Sequence, residues 1–278
     1  MNALAGAMPA EPRVAVVVPV FRHSVLVAEA IESALAQRAG FPLAIVLVND
    51  GCPHAETDAV LTDYALAHPD RIVYLRKPNG GLSSARNHGI GFALSAWPGL
   101  EAIYFLDADN RLRPHALARA VAALGQEGGA DWVYPGIDMF GLAWAGDFGG
   151  EYSLLRQAAM NVCEAGSLVH RRVFEAGVRF DERMRLGFED WDFFLSATAR
   201  GFRGRNLAEM GFRYRKRPES MLADSHRDEA EIRGYMRRKH GWLSDPRTLL
   251  ALEQREAPRY AIFLADRNVW CLATDPLA

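Results

Sequence analysis

The chain has 278 residues, half of them hydrophobic and 24% charged, with a formal net charge of −2. That supports one large domain or two small ones with a full core, and so even a charge balance argues against nucleic acid as a partner. No apolar run approaches the ~18 residues of a membrane span, and Cys52, Cys163 and Cys271 lack the paired spacing of a disulfide framework or a zinc site.

Residues 1–12 lack the basic start and long apolar stretch of a signal peptide and read as an N-terminal tail. With scattered cysteines, this leads us to expect a reducing, cytoplasmic setting. Charge is uneven, because residues 200–259 hold 15 Lys/Arg against 9 Asp/Glu. Such a basic third suits phosphate groups or peripheral association with the inner face of an anionic membrane, and equally an ordinary solvated surface.

Strand and helix patterns alternate from Val14 onward. Val14 to Val18 is a β-branched run stopped by Pro19, followed by a helical pattern from about Leu26 to Gln37. Leu43 to Val48 and Ile72 to Leu75 are further apolar strands, each followed by a helix, near Glu56 to Ala67 and Ser83 to Ser95. Ile103 to Leu106 is the fourth strand, with a helix near His115 to Leu124. Near-continuous apolar strands alternating with amphipathic helices predict a mostly parallel sheet covered on both faces. After about residue 130 the pattern changes. Trp132 to Tyr134, Ala165 to His170 and Phe212 to Lys216 read as strands, Gly141 to Gly150 as a loop, and Asp190 to Arg200 and Asp228 to His240 as helices. Tyr260 to Leu264 and Val269 to Leu272 read as a hairpin whose apolar edge fits a longer natural protein.

The polar clusters fall at the strand ends, where open α/β sheets bind ligands. After the fourth strand come Asp107-Ala108-Asp109. Two close carboxylates raise each other's pKa, a cost that a divalent cation removes. Hard oxygen ligands completed by substrate phosphates hold Mg²⁺ or Mn²⁺ in this way. Alone, the triplet also reads as a solvated turn. Asn79-Gly80-Gly81 supplies flexible backbone before a helix whose N-terminus favours an anion. Glu189-Asp190-Trp191-Asp192, alone, reads as an acidic helix start.

Taken in order, Val17-Val18-Pro19-Val20-Phe21, Val48-Asn49-Asp50-Gly51, Asn79-Gly80-Gly81-Leu82-Ser83-Ser84-Ala85-Arg86-Asn87, Asp107-Ala108-Asp109 and Gly187-Phe188-Glu189-Asp190-Trp191-Asp192 resemble the inverting family 2 glycosyltransferases, over about residues 13 to 222. The resemblance implies an α/β fold of GT-A type, with a Rossmann-like, mostly parallel central sheet flanked by helices and a smaller acceptor-side region. It implies transfer of a sugar, with inversion, from a nucleotide-diphospho-sugar donor to a saccharide or other hydroxyl acceptor, with Mn²⁺ or Mg²⁺, in polysaccharide biosynthesis. By the same resemblance Pro19, Val20, Phe21, Asp50, Asn79, Gly81, Ser84, Arg86, Asn87, Asp107 and Ala108 lie at the donor, Asp50 on the base or ribose and Arg86 toward the diphosphate. Asp109 with Asp107 serves the metal. Asp190 is the base with Glu189 beside it, and Gly187 and Trp191 face the acceptor. The chain then divides into a nucleotide-sugar-binding half (13–130), an acceptor-binding and catalytic half (131–225), and a C-terminal helix and hairpin (226–278).

One stretch departs from the pattern. Where many relatives carry a His after a Tyr-Arg pair, Tyr214-Arg215-Lys216-Arg217 places Arg217, a candidate for the diphosphate, and His226 becomes a candidate displaced metal ligand. Three other classes compete. A nucleotidyltransferase needs a Gly-rich loop after strand one, and Pro19-Val20-Phe21-Arg22-His23 has no glycine. A non-catalytic binding module should have lost the carboxylates, and Asp107, Asp109 and Asp190 are all present. A dinucleotide-binding dehydrogenase needs Gly-x-Gly-x-x-Gly there.

Overall fold

The computed structural model describes residues 8–22, 24–125, 129–141, 150–217, 227–256, 260–264 and 269–273. Its strands are β1 (Val14–Val20), β2 (Leu43–Asn49), β3 (Ile72–Arg76), β4 (Ala102–Phe105), β5 (Arg111–Leu112), β6 (Trp132–Pro135), β7 (Asp138–Gly141), β8 (Leu168–His170), β9 (Gly204–Leu207), β10 (Phe212–Lys216), β11 (Tyr260–Leu264) and β12 (Val269–Ala273). Its helices are α1 (Leu26–Leu35), α2 (Ala55–Ala67), α3 (Leu82–Ala96), α4 (Ala116–Leu124), α5 (Leu154–Ala159), α6 (Arg171–Glu175), α7 (Glu189–Thr198), α8 (Glu229–Lys239) and α9 (Pro246–Glu256).

Seven strands form one sheet in the order β3-β2-β1-β4-β8-β6-β9. All pairings are parallel except those of β8, which runs antiparallel to both β4 and β6. The expected mostly parallel sheet is therefore present, and it is continuous from the first half of the chain into the second. Successive strand residues point to opposite faces. Val14, Val16 and Val18 join α1, α2 and α4 in one core, while Ala15 and Val17 join α3, α6 and α7 in the other. Burial on both faces is why these strands read as unbroken apolar runs and not as alternating ones. The second sheet is small, in the order β5-β10-β7.

Seven described elements escape the sequence pattern: β5, β7, β9, α5, α6, α9 and the 3₁₀ turn Gly241–Ser244. Most are too short for a period to show. The hairpin pairs as expected, with Ile262 opposite Cys271. Residues 142–149 of the expected Gly141–Gly150 loop lie outside the described residues. Among the described residues no helix is long and apolar enough to cross a membrane.

Two contacts set the position of the helices that matter below. Gly89 lets α3 lie directly on β1, since a Cβ there would stand 2.5 Å from Val17 Cγ1. On α7, fully buried Asp192 accepts from Lys239 Nζ at 2.6 Å and pairs with His240 Nε2 at 2.8 Å, which fastens the end of α8 to α7. Gly89→Ala should therefore overpack the α3–β1 contact and cost about 1–3 kcal/mol, read as a lower urea midpoint with an unchanged m-value. A midpoint equal to wild type would show that the helix can shift without cost.

Candidate active site

The parallel pairing of β1, β2, β3 and β4 brings their carboxyl ends, and the polar clusters that follow them, to one edge of the sheet. At its centre is Arg86, on the second turn of α3. Its Nη2 donates to Asp107 Oδ1 at 2.7 Å and its Nη1 to Glu189 Oε1 at 2.6 Å, and its side chain is 1% exposed. The guanidinium also lies 5.0 Å from the Phe180 ring, on which it stacks. A buried cation between two carboxylates joins the end of β4 to the start of α7. Arg86, expected toward the diphosphate, is here paired with these two carboxylates inside the protein.

Asp50 is likewise turned inward, at 2% exposure. Its carboxylate accepts from Lys77 Nζ (2.6 Å), Asn79 Nδ2 (3.1 Å), Gly80 N (3.0 Å) and Gly81 N (2.7 Å). It thereby fixes the Asn79-Gly80-Gly81 turn at the N-terminus of α3, where Gly81 sits at φ 90°. Asp50, expected on the base or ribose, thus shapes this loop. Asn87 also works internally, its amide exchanging hydrogen bonds with the Phe180 backbone at 2.8 and 3.0 Å. Pro19, Val20 and Ala108 are buried, while Phe21 and Ser84 are half-buried at the same edge.

Asp107 and Asp109 keep 26% and 18% of their side chains exposed, so both stay within reach of a ligand. Arg217 Nη2 donates to Asp109 Oδ2 at 2.6 Å, and Arg215 Nε to the Asp109 carbonyl at 3.0 Å. Arg217 thus meets the strand-end motif directly. His226 lies outside the described residues.

The start of α7 is set by two left-handed residues, Gly187 (φ 111°) and Phe188 (φ 55°). A bulky residue in that region costs energy and persists only where the surroundings impose it. The turn delivers Glu189 to Arg86 and leaves Asp190 half-buried at the helix N-terminus. Burial and the neighbouring Glu189 push the Asp190 carboxyl up to about 7, against Arg86, the Trp191 backbone N–H and the Asn161 side chain, which pull it down. Trp191 is corrected to a core residue. It is 2% exposed, donates from Nε1 to Gln157 O at 2.6 Å, and lies under the Arg233 guanidinium at 4.7 Å. It has no free face for a sugar.

Two residues absent from the sequence expectations join the cluster, Asn161 and Glu164. Burial and the carboxylates of Asp190 and Asp107 push Glu164 well above the ordinary carboxylate range, with Arg86 opposing. The signal in the sequence was a carboxylate directly before the strand Ala165 to His170, but its relevance depends on β8 running antiparallel beside β4.

Replacing Arg86 with Leu removes one partner from two buried pairs and should cost about 3–5 kcal/mol, measured by denaturant unfolding. A loss under about 1 kcal/mol would make this pair equivalent to a surface salt bridge.

Residues 15–182 match the family model described as Glycosyl transferase family 2. The succinoglycan biosynthesis protein ExoO of Rhizobium meliloti (strain 1021) is 31% identical over 231 residues, covering 76% of this chain and 62% of that protein. Among solved structures, S. aureus TarS 1–349 in complex with UDP-GlcNAc superposes with a TM-score of 0.61 at 18% identity, over 76% of this chain and 60% of that one. The mannosyltransferase PcManGT from Pyrobaculum calidifontis, in complex with GDP-Man and Mn²⁺, gives 0.58 at 15% identity, over 92% and 78%. At these identities the structural likeness is one of fold, the GT-A type. The chain spans less than two thirds of the length of the first curated relatives it matches.

Proposed function

The chain belongs to glycosyl transferase family 2, and we propose that it transfers a sugar, with inversion, from a nucleotide-diphospho-sugar donor to a hydroxyl of a saccharide or other acceptor, with Asp190 as base. The observation that carries this reading is the state of Asp190. Its carboxyl, raised to about 7, stands at a helix start tied through Glu189 and Arg86 to the Asp107 carboxylate. A base works best with a pKa near the operating pH. Asp190, in the first turn of α7, takes the proton of the acceptor hydroxyl, while Trp191 N, donating to Asp190 Oδ1 at 2.7 Å, holds the carboxyl in orientation.

A divalent cation fits the chemistry of the strand-end residues. Asp107, Asp109 and Glu189 are paired with the guanidiniums of Arg86 and Arg217 among the described residues, and a diphosphate adds further negative charge. Among the described residues no group of three His, Cys, Asp or Glu could hold a metal ion by itself. Asp109 and Asp107 would therefore hold Mn²⁺ or Mg²⁺ with donor phosphate oxygens completing the shell. Bound there, the cation supplies Lewis-acid stabilisation of the leaving diphosphate. Arg217 uses Asp109 Oδ2, so guanidinium and cation compete for that oxygen. The donors bound in the similar solved structures support a nucleotide-sugar donor, and the name of ExoO supports a role in polysaccharide synthesis; in this reading 13–130 is the donor half and 131–225 the acceptor half.

The decisive experiment screens nucleotide sugars for cleavage and transfer, with Mn²⁺ and with chelator, in wild type and Asp190→Asn. The variant should bind nucleotide normally and transfer about 10²–10⁴-fold more slowly, and the wild-type rate should rise with pH through about 7. Transfer by the variant at near wild-type rate would assign the base elsewhere. Stability supplies an independent check. A carboxyl whose folded pKa lies above its unfolded value contributes less stability as pH rises between the two. Asp190→Asn should thus melt higher than wild type at pH 8, with the gap narrowing at pH 5.

Asp109→Ala should abolish the extra thermal stabilisation that Mn²⁺ gives in the presence of UDP or GDP. Equal shifts in wild type and variant would remove Asp109 from the metal site.

A further inference from the structure

Arg217 and a divalent cation compete for one atom, Asp109 Oδ2, and the strand that leads to Arg217 is built against the motif that carries it. β10 runs antiparallel to β5, which follows Asp109-Asn110 directly, with Arg213 opposite Arg111. Beyond that pairing Arg215 N donates to Asn110 Oδ1 at 2.9 Å, and Arg215 Nε to the Asp109 carbonyl at 3.0 Å. Asn110 is buried, and the Arg215 guanidinium is itself fixed by Glu29 and by the Phe140 ring 4.6 Å away. Two residues on, Arg217 meets a carboxylate whose backbone is already tied to its own strand. The contact belongs to the local construction of the site.

That pairing is incomplete on the arginine's side. Nη2 donates to Asp109 Oδ2 at 2.6 Å, while Nε, its neighbour on the same edge of the guanidinium, is buried and has no hydrogen-bond partner among the described residues. Such an edge presents two parallel N–H groups and matches an anion that accepts from both. Asp109 accepts from one. A buried donor left unpaired is costly, so a phosphate group able to accept from both draws Arg217 away from Asp109. For a cation the same contact is unfavourable twice, because the oxygen is taken and a positive charge stands beside it. Among the described residues no three His, Cys, Asp or Glu groups offer it a site that does without phosphate.

We propose that Arg217 is an exchange residue that makes metal binding conditional on the donor: without donor it holds Asp109 Oδ2, and when a nucleoside diphosphate binds, its guanidinium passes to the phosphates and releases that oxygen to Mn²⁺ or Mg²⁺. The proposal rests on the transferase reading and adds to it an order, in which cation and diphosphate enter together and the cation does not enter first. Phosphate oxygens on the cation couple the two ligands in any case. Arg217 adds a second coupling, since each ligand removes what opposes the other, and such coupling is reciprocal.

The test is calorimetry on the full chain with Mn²⁺ alone and with UDP or GDP in chelator. The proteins are wild type, Arg217→Gln, Asp109→Asn, the double variant and a charge control, Arg213→Gln, whose guanidinium pairs with Asp138. Arg217→Gln should bind Mn²⁺ alone about tenfold more tightly than wild type, and the diphosphate in chelator about tenfold more weakly. Loss of folding cannot move the two in opposite directions. Arg213→Gln, with the same change in charge, should move both by less than about twofold, because solvent screens it. An equal shift in Arg213→Gln would make the effect one of charge alone and overturn the exchange, as would an unchanged Mn²⁺ affinity in Arg217→Gln. The contact itself is read from the double-variant cycle. Asp109→Asn should tighten the diphosphate in chelator about tenfold beside Arg217, and by less than about twofold in the Arg217→Gln background. Equal tightening in both backgrounds overturns the proposal. If Arg217→Gln does not fold, Arg217→Lys decides, since a point charge without the fork should still weaken the diphosphate about tenfold, and an unchanged affinity overturns the proposal. A wild type that binds neither UDP nor GDP, with or without Mn²⁺, sinks the transferase reading and this inference together; diphosphate and Mn²⁺ binding indifferent to Arg217 sinks this inference alone.

Discussion

Arg86 is held between Asp107 and Glu189 at 2.7 and 2.6 Å with its side chain 1% exposed, and the geometry of the whole edge follows from that contact. Burying a guanidinium is costly, and mutual attraction recovers the cost only when both carboxylates are well placed. The pair of bonds therefore acts as a distance constraint between the end of β4 and the start of α7, elements far apart in sequence. Because α3 carries Arg86 and is seated against β1 by Gly89, the constraint extends to the donor edge as well. Asp50, through Lys77 and the Gly80-Gly81 amides, fixes the first turn of the same helix. One helix thus registers the strand-end carboxylates and the start of α7 relative to each other.

Much of the fold was legible because its physics is local. Val14 to Val20 and Leu43 to Asn49 are buried on both faces, so their apolar runs are unbroken and mark central strands without ambiguity. Asp107, Asp109 and Asp190 stood out by the order and spacing of the motifs around them, since alone each cluster also reads as a turn or a helix start. What was not legible depends on burial and direction. Arg86, Asn87 and Trp191 were placed at ligands by the family resemblance, and nothing in the chain indicates that they also pair with Glu189, the Phe180 backbone and Gln157. Glu164 was passed over for the opposite reason. A single glutamate before a short strand carries no pattern, and its place beside Asp107 follows only from the antiparallel course of β8.

Asp190 and Asp192 show how one helix turn creates two chemistries. Two residues apart on an α-helix point to nearly opposite sides. Asp192 faces inward and is met by Lys239 and His240, cations brought by α8. Asp190 faces the cluster of acids, where burial and Glu189 raise its pKa. The same side chain is a structural anchor at one position and a candidate base at the other, and the difference lies in which charges the fold brings to each.

The Asp192 anchor also changes what counts as one unit of this protein. The family match ends at residue 182, before Asp190 and well before His240. Yet the helix that bears Asp190 is fastened from behind by the end of α8. The segment that recombination or engineering can exchange intact is therefore longer than the recognisable one. A junction placed at the end of the match would part the Asp107 edge from Asp190 and take Asp192 out of the block with α7. A junction beyond His240 keeps the strand-end carboxylates, Asp190 and the Asp192 anchor in a single inheritable block.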